Sequence, residues 1–208
     1  MKRVMIILSM ISILLTSCNK DNSETAVTPI PQKDYMQLKV GNYWVYDKYH
    51  IDADGNENLS QHKDSVVIIG DTMINDIQYF KQHLIGQSHV VYLRDSSGFL
   101  INLEGEVLFS STDFSNVIRV DTIGNGLAFI TYKMEESDTL ITVPMGNYPC
   151  ITFKGTVTAL DPNYPHGVQY TYYFYADGFG QVKSSNYFLS NPMLRVERRL
   201  SQFGNLGE

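Results

Sequence analysis

The sequence predicts an all-β protein: a single strongly curved antiparallel sheet, built as a meander, half-barrel or open barrel, with few or no helices. Three observations predict it. The chain carries 14 Tyr and 10 Phe, residue types that suit the pleated, half-buried surface of a sheet. From Tyr35 onward, short β-rich runs alternate with turn residues about every ten positions. Helical periodicity is nearly absent throughout.

Composition and charge limit the classes of function that the protein can have. Of the 208 residues 43% are hydrophobic and 18% are charged, which is typical of a chain that folds into a globular domain. The formal net charge of -6 argues against nucleic acid as a partner, because binding phosphates requires a basic surface. The nearest approach to a basic cluster, Arg195, Glu197, Arg198 and Arg199, is interpreted as a solvated strand face.

Residues 1–17 are predicted to be a removable export signal. Met1-Lys2-Arg3 supplies the positive end, and an apolar run from Val4 to Leu15 follows, too short to span a bilayer core that needs about 20 residues. Leu15-Thr16-Ser17-Cys18 then resembles the lipobox of bacterial lipoproteins. That resemblance implies cleavage before Cys18, lipidation of Cys18, and attachment to the cell envelope, with the outer membrane of a Gram-negative bacterium as the expected location.

A tether is predicted to follow the lipidated cysteine. Residues 18–34 are mostly polar, include two prolines and show no periodicity of strand or helix. The domain organisation is therefore a signal peptide (1–17), the lipidated Cys18 with a disordered tether (18–34), and an antiparallel β domain (35–208).

The β domain is expected to contain twelve strands joined by tight turns. Asp54-Gly55, Asn75-Asp76, Ser97-Gly98, Glu104-Gly105 and Asp177-Gly178 are the turn residues, since hairpins need positions that tolerate positive φ. The predicted strands are 43–51, 64–69, 77–85, 89–94, 99–102, 106–110, 127–134, 139–143, 150–160, 169–176, 180–188 and 194–203.

Three segments resemble an uncharacterised group of bacterial lipoproteins and periplasmic proteins built on a curved antiparallel sheet. They are the opening Leu38 to Tyr46, the central Val143 to Ile151 and the aromatic stretch Tyr172 to Lys183. The group's sheet is similar to that of periplasmic lipoprotein-carrier half-barrels, which hold acyl chains. The resemblance thus implies a cavity for a lipid-like ligand.

Sequence motifs for catalysis or metal binding are weak. The cluster from Asp52 to Glu57 has the wrong spacing for an EF-hand and is interpreted as a hairpin turn, and the five His are scattered. Cys150 lies in an apolar run without an adjacent activating group, which predicts a buried free thiol. Signatures of hydrolases and dinucleotide sites are missing from the sequence. We therefore expect no catalytic residue, no metal site and no cofactor, with a convergent active site as the residual alternative.

Aromatic residues are the candidate ligand surface. In the run from Tyr170 to Tyr175, alternate residues face opposite sides of a strand, so one face fills the core and the other is either covered or a binding platform. Two hypotheses follow: a non-catalytic binding or scaffold domain for a lipid-like or amphipathic ligand, or a surface subunit that contacts glycan or a protein partner of unknown identity. The candidate residues are Trp44, Tyr46, Tyr170, Tyr172, Tyr173 and Tyr175.

Overall fold

The computed structural model describes residues 32–124, 126–160, 167–188 and 191–207. The predicted export signal, Cys18 and nearly all of the predicted tether lie outside these ranges. From Lys33 onward the chain forms one compact unit. No segment of the described ranges forms a helix with the length and apolar character needed to cross a membrane.

The unit contains thirteen β-strands within the described residues. In chain order they are Asn42–Ile51 (β1), Glu57–Leu59 (β2), Asp64–Ile74 (β3), Ile77–Leu84 (β4), Val90–Ser96 (β5), Phe99–Asn102 (β6), Val107–Ser110 (β7), Val117–Ile123 (β8), Ala128–Val143 (β9), Gly146–Ala159 (β10), Gln169–Ala176 (β11), Gly180–Phe188 (β12) and Asn191–Asn205 (β13).

All strands belong to one antiparallel sheet that is nearly closed into a barrel. The order is β7-β6-β5-β4-β3-β1-β13-β12-β11-β10-β9-β8, with β2 paired to β1 as a short extension. Each strand pairs with its successor within the runs β3 to β7 and β8 to β13, β3 pairs with β1, and the ladder between β1 and β13 joins the first strand to the last. The predicted fold class, a single strongly curved antiparallel meander, is therefore confirmed.

Three predictions about the strands are wrong, and β3, β10 and β13 also extend beyond their predicted bounds. β2 and the edge strand β8 were not predicted at all. The predicted break between 134 and 139 is also wrong, because β9 continues through these polar residues. Its register against β10 shifts there, so that Thr139 pairs with Cys150 while Glu135 pairs with Thr152. The polar stretch is accommodated as a bulge, which bends a long strand without ending it.

The predicted turns are found where expected. Asn75, Asp76 and Ser97 all adopt positive φ, as do the glycines at 55, 98, 105 and 178. At Gly98 the left-handed conformation coincides with crowding, because a Cβ would lie 2.6 Å from Thr112 Cγ2. This turn therefore requires glycine for two independent reasons.

Two clusters of buried side chains fill most of the interior. The first, called here the packed cluster, consists of Tyr35, Phe109, Ala128, Ile130, Tyr132, Met134, Ile151, Phe153 and Val157. The second, called the Trp44 cluster, consists of Trp44, Tyr46, Ile68, Val143, Cys150, Ala176, Val182 and Leu200. The turn between β9 and β10 contributes to the closure of the second cluster, because Met145 N donates to Leu200 O on β13 at 3.1 Å.

Candidate functional site

A cavity of about 310 Å³ lies beside the two clusters. Its walls come from β1, β3 to β7 and β11 to β13, together with the segment that precedes β1. Most of the lining is apolar or aromatic, and Gln82, Gln181 and Arg198 supply polar groups. The complete lining is Tyr35, Met36, Leu38, Trp44, Tyr46, Val66, Gln82, Val91, Leu93, Leu100, Leu108, Tyr175, Gln181 and Arg198.

The segment before β1 is held against the barrel by hydrogen bonds to Asp177 and Gly178. Asp34 N donates to Asp177 Oδ1 at 2.7 Å, and Gly178 N donates to Asp34 O at 2.9 Å. The Asp34 carboxylate also accepts hydrogen bonds from the backbone N–H groups of Met36 and Gln37, which folds the segment into a turn. Tyr35, Met36 and Leu38 are thereby fixed as one wall of the cavity.

The two aromatic residues of β1 that line the cavity are anchored by hydrogen bonds to β12 and the turn before it. Trp44 Nε1 donates to Phe179 O at 2.7 Å, and the Tyr46 hydroxyl donates to Gln181 O at 2.8 Å. Burial raises the pKa of Tyr46 far above its ordinary value, against a smaller lowering by Arg198, so the phenol stays neutral. Both residues therefore present neutral aromatic surface to the cavity.

Arg198 provides the positive charge of the lining. Its guanidinium lies over the Tyr46 ring at 4.5 Å from the centroid, and its Nε is 2.9 Å from Asp64 Oδ2. The ion pair lacks hydrogen-bond geometry, so that Nε, and also Nη2, are buried without a hydrogen-bond partner among the described residues. The cavity thus combines a largely apolar wall with a guanidinium whose hydrogen-bonding capacity is not satisfied.

The assignment of Arg195, Glu197, Arg198 and Arg199 to a solvated strand face is wrong. Glu197 is only 3% exposed, and it lies between Lys183 Nζ at 2.9 Å and the Arg199 guanidinium at 2.6 Å. Burial acts to raise the pKa of Glu197, but the hydrogen bonds and charges of Lys183 and Arg199 outweigh it and hold that pKa below its ordinary value. These charges form a paired network, and Arg198 borders the cavity.

Strand β11 divides the predicted aromatic surface between two environments. Tyr175 lines the cavity and stacks on Phe109 with ring centroids 4.0 Å apart. Tyr173 packs against the packed cluster, and its hydroxyl donates to Asn186 Oδ1 at 2.9 Å. Trp44, Tyr46 and Tyr175 are therefore brought together in one site, while Tyr173 belongs to the neighbouring core.

Tyr170 and Tyr172 belong to a separate series of rings. Their centroids are 6.3 Å apart, and Tyr172 stacks on Phe174 at 6.1 Å. Lys154 Nζ lies 4.5 Å from the Tyr170 centroid and is paired with Glu135 at 2.9 Å. Tyr170 is 39% exposed, whereas Tyr172 and Phe174 are half-buried, so this ladder is accessible mainly at Tyr170 and is distinct from the cavity.

The remaining sequence candidates have structural roles. Cys150 is a free thiol, 1% exposed, and burial raises its pKa to about 12, which confirms the predicted inert thiol. Asp52 Oδ1 accepts hydrogen bonds from the backbone N–H groups of Asp54 and Asn56, as expected of a hairpin turn. Among the described residues, no three of His, Cys, Asp or Glu come together in a group that could hold a metal ion.

Sequence reasoning did not find most of the cavity wall. Leu93, Leu100 and Arg198 come from strands far apart in the chain, and only closure of the sheet brings them together. For Arg198 a signal existed: the alternation of Val196, Arg198 and Leu200 places a charge in register with apolar, inward-facing positions.

The fold and the cavity define a curved antiparallel β-sheet protein with a ligand-sized interior space. A protein from Parabacteroides distasonis, described as a candidate lipoprotein, matches with a TM-score of 0.50 at 15% identity over 83% of this chain and 99% of its own. A protein from Bacteroides fragilis, described as a candidate exported protein with a YmcC-like fold, has a TM-score of 0.49 at 12% identity over 84% and 100% of the two chains. The likeness to the first supports the fold alone. No protein-family model and no curated protein matches the chain.

Proposed function

We propose that this protein is a non-catalytic, membrane-anchored binding protein that holds a lipid-like or amphipathic ligand in the barrel cavity. The observation that carries the proposal is the cavity of about 310 Å³ among Trp44, Leu93 and Leu100, next to a tightly packed core. Ligand pockets commonly enclose about 300–1,000 Å³, and interior spaces of this size are rare in well-packed domains. An apolar chain is the occupant that such a lining favours.

The expected affinity is modest. Each buried CH₂ contributes about 0.8 kcal/mol, so about eight to ten of them supply roughly 6–8 kcal/mol before ordering costs. Without those costs that range corresponds to dissociation constants from about one micromolar to tens of micromolar, which is the upper limit of the affinity. A binding protein of this kind would hold and release its ligand reversibly.

Native mass spectrometry tests the proposal. The full-length chain carries Cys18→Ser, so that no acyl chain of its own competes for the cavity. It is delipidated and incubated with a bacterial membrane extract, and its intact mass is then measured. We expect the protein without a cavity-filling substitution to retain a small amphipathic molecule. Val91→Phe, which fills the cavity, should lose it, whereas Val120→Phe, at an exposed valine of β8, should retain it.

The proposal would be overturned if the protein without a cavity-filling substitution retained no molecule. So would equal retention by Val91→Phe and Val120→Phe, because the ligand would then lie elsewhere. If Val91→Phe does not fold, Leu100→Phe provides the same test from another part of the wall.

A second candidate function rests on the partly exposed ladder of Tyr170, Tyr172 and Phe174 with Lys154. Stacked rings beside a cation are suited to sugar rings or to a protein partner. Tyr170→Ser combined with Tyr172→Ser should then abolish capture of a partner or glycan from intact membranes and leave ligand retention unchanged. Loss of the small ligand in that variant would contradict this assignment.

The anchor is proposed on the lipobox resemblance. Cys18 is the expected attachment point and the outer membrane the expected location. Mass analysis of the mature amino-terminal peptide should show an acylated cysteine. Cys18→Ser should release the protein from the membrane fraction, whereas Cys150→Ser should not, since Cys150 is buried.

A further inference from the structure

We infer that the ligand is a single-chain amphipath with an anionic head group, bound with the head at Arg198 and the tail toward Trp44. The inference rests on the proposed function and specifies the ligand of the same cavity. Carboxylate and phosphate share the required chemistry, which is a negatively charged oxygen that accepts hydrogen bonds from a guanidinium.

The volume limits the number of chains. At about 310 Å³ the cavity lies at the lower end of the range of about 300–1,000 Å³ that ligand pockets commonly enclose. A space of this size suits one short chain. Lipids with two or three long chains would not fit unless the wall opened.

Arg198 supplies the recognition of charge. Arg198 is the charged residue of the lining, and a guanidinium binds carboxylate and phosphate oxygens through charge-assisted hydrogen bonds. Its Nε and Nη2 have no hydrogen-bond partner among the described residues but are themselves buried, so a head group meets the remaining part of the side chain, which is 27% exposed. Asp64, 2.9 Å from Nε and 29% exposed, is the competing carboxylate.

The register of β1 and β13 orients the ligand. Leu200 pairs with Tyr46, and Arg198 pairs with Lys48, two residues farther along β1. Trp44 lies in the opposite direction, where its indole bonds to Phe179 O. The guanidinium and the indole therefore stand at opposite ends of this stretch of wall, and Leu38 adds apolar surface to the wall near the start of β1.

Binding of three ten-carbon probes to the full-length Cys18→Ser chain tests the inference. Decanoate, decyl phosphate and decanol share one tail and differ only in the head group. We expect at least one of the two anions to bind about tenfold or more tightly than decanol, since hydrogen bonds to charged groups are the stronger ones. The comparison of the two anions identifies which head group the site prefers.

Two variants locate the effect. Arg198→Met should remove the preference for the anions while leaving decanol binding within about twofold. Arg94→Met is the matched control, because Arg94 follows the cavity residue Leu93 on β5 and so faces the other side of the sheet, near Tyr79. Asp64→Asn should strengthen binding of the anions, because it removes the competing carboxylate beside Arg198.

The outcomes separate the two proposals. Equal affinities for decanol and both anions, or an Arg198→Met variant that keeps the anion preference, would overturn the head-group inference and leave the lipid-binding proposal standing. If none of the three probes binds, the proposed function fails and the inference fails with it.

Discussion

The packed cluster and the cavity occupy neighbouring parts of the same barrel, yet they differ in how completely side chains fill them. In the packed cluster Tyr132 stacks on Phe153 at 5.2 Å, and Phe109 meets Phe153 edge to face at 6.2 Å. Phe109 and Met134 are completely buried there. Beside them, Leu93 and Leu100 border about 310 Å³ of empty space.

This difference shows that the cavity does not result from loose packing throughout the barrel. The sequence supplies enough large residues to fill one part of the barrel to the density of an ordinary protein interior. An arginine stacks on a buried tyrosine in both regions, Arg119 on Tyr132 and Arg198 on Tyr46, so the two regions differ in unfilled volume and not in the presence of a guanidinium. Function is therefore to be sought in the unfilled part, and the packed cluster serves as the internal control.

The largest expected effect is loss of a ring from the packed cluster. Phe153→Ala should lower the free energy of unfolding by about 3–5 kcal/mol, because the surrounding side chains cannot collapse into the space. Leu108→Ala should cost only about 2 kcal/mol, near the lower end for leucine, since this side chain of the cavity wall is only half-buried. Equal losses in chemical denaturation would show that the two regions are packed alike.

An intermediate effect is expected from adding a methyl group at Gly155. A Cβ there would lie 2.8 Å from both Ile130 Cγ2 and Tyr132 Cε1 in the packed cluster. Gly155→Ala should therefore cost about 1–3 kcal/mol through overpacking. Gly70→Ala is the control, because a Cβ at Gly70 meets nothing within 4 Å, and its thermal midpoint should stay close to that of the unmodified chain.

The smallest expected effect comes from enlarging matched valines. Val157→Leu adds one methylene to the packed cluster and should destabilise by about 1 kcal/mol. Val66→Leu adds the same group to the cavity wall and should be neutral or stabilising by up to about 1 kcal/mol. The reverse order of stabilities in urea denaturation would contradict the assignment of filled and unfilled regions.

Local patterns were sufficient to predict most of the sheet. Turn residues that tolerate positive φ and runs of β-branched and aromatic residues delimited β6, β11 and β12 at their observed bounds. β8 was missed because Arg119 and Asp121 interrupt its apolar pattern, as is common on an edge strand. The polar residues in the middle of β9 were interpreted as a turn, although pairing with β10 keeps the strand continuous.

The candidate site was less accessible to sequence reasoning. Alternation along β11 predicted that Tyr173 and Tyr175 would face away from Tyr170 and Tyr172, and the ring contacts agree with this separation. Which face encloses a cavity depends on closure between β1 and β13, a contact between the two ends of the domain. Volume is a property of the whole barrel, and no local pattern encodes it.

The central claim is that the cavity receives an acyl chain, and Trp44 can report on it directly. It is the only tryptophan of the chain, and it lines the cavity. Titration of full-length Cys18→Ser protein with 10-bromodecanoate should quench the tryptophan fluorescence to a plateau, and excess unlabelled decanoate should restore it. Quenching that rises linearly without saturation and is insensitive to decanoate would contradict the claim.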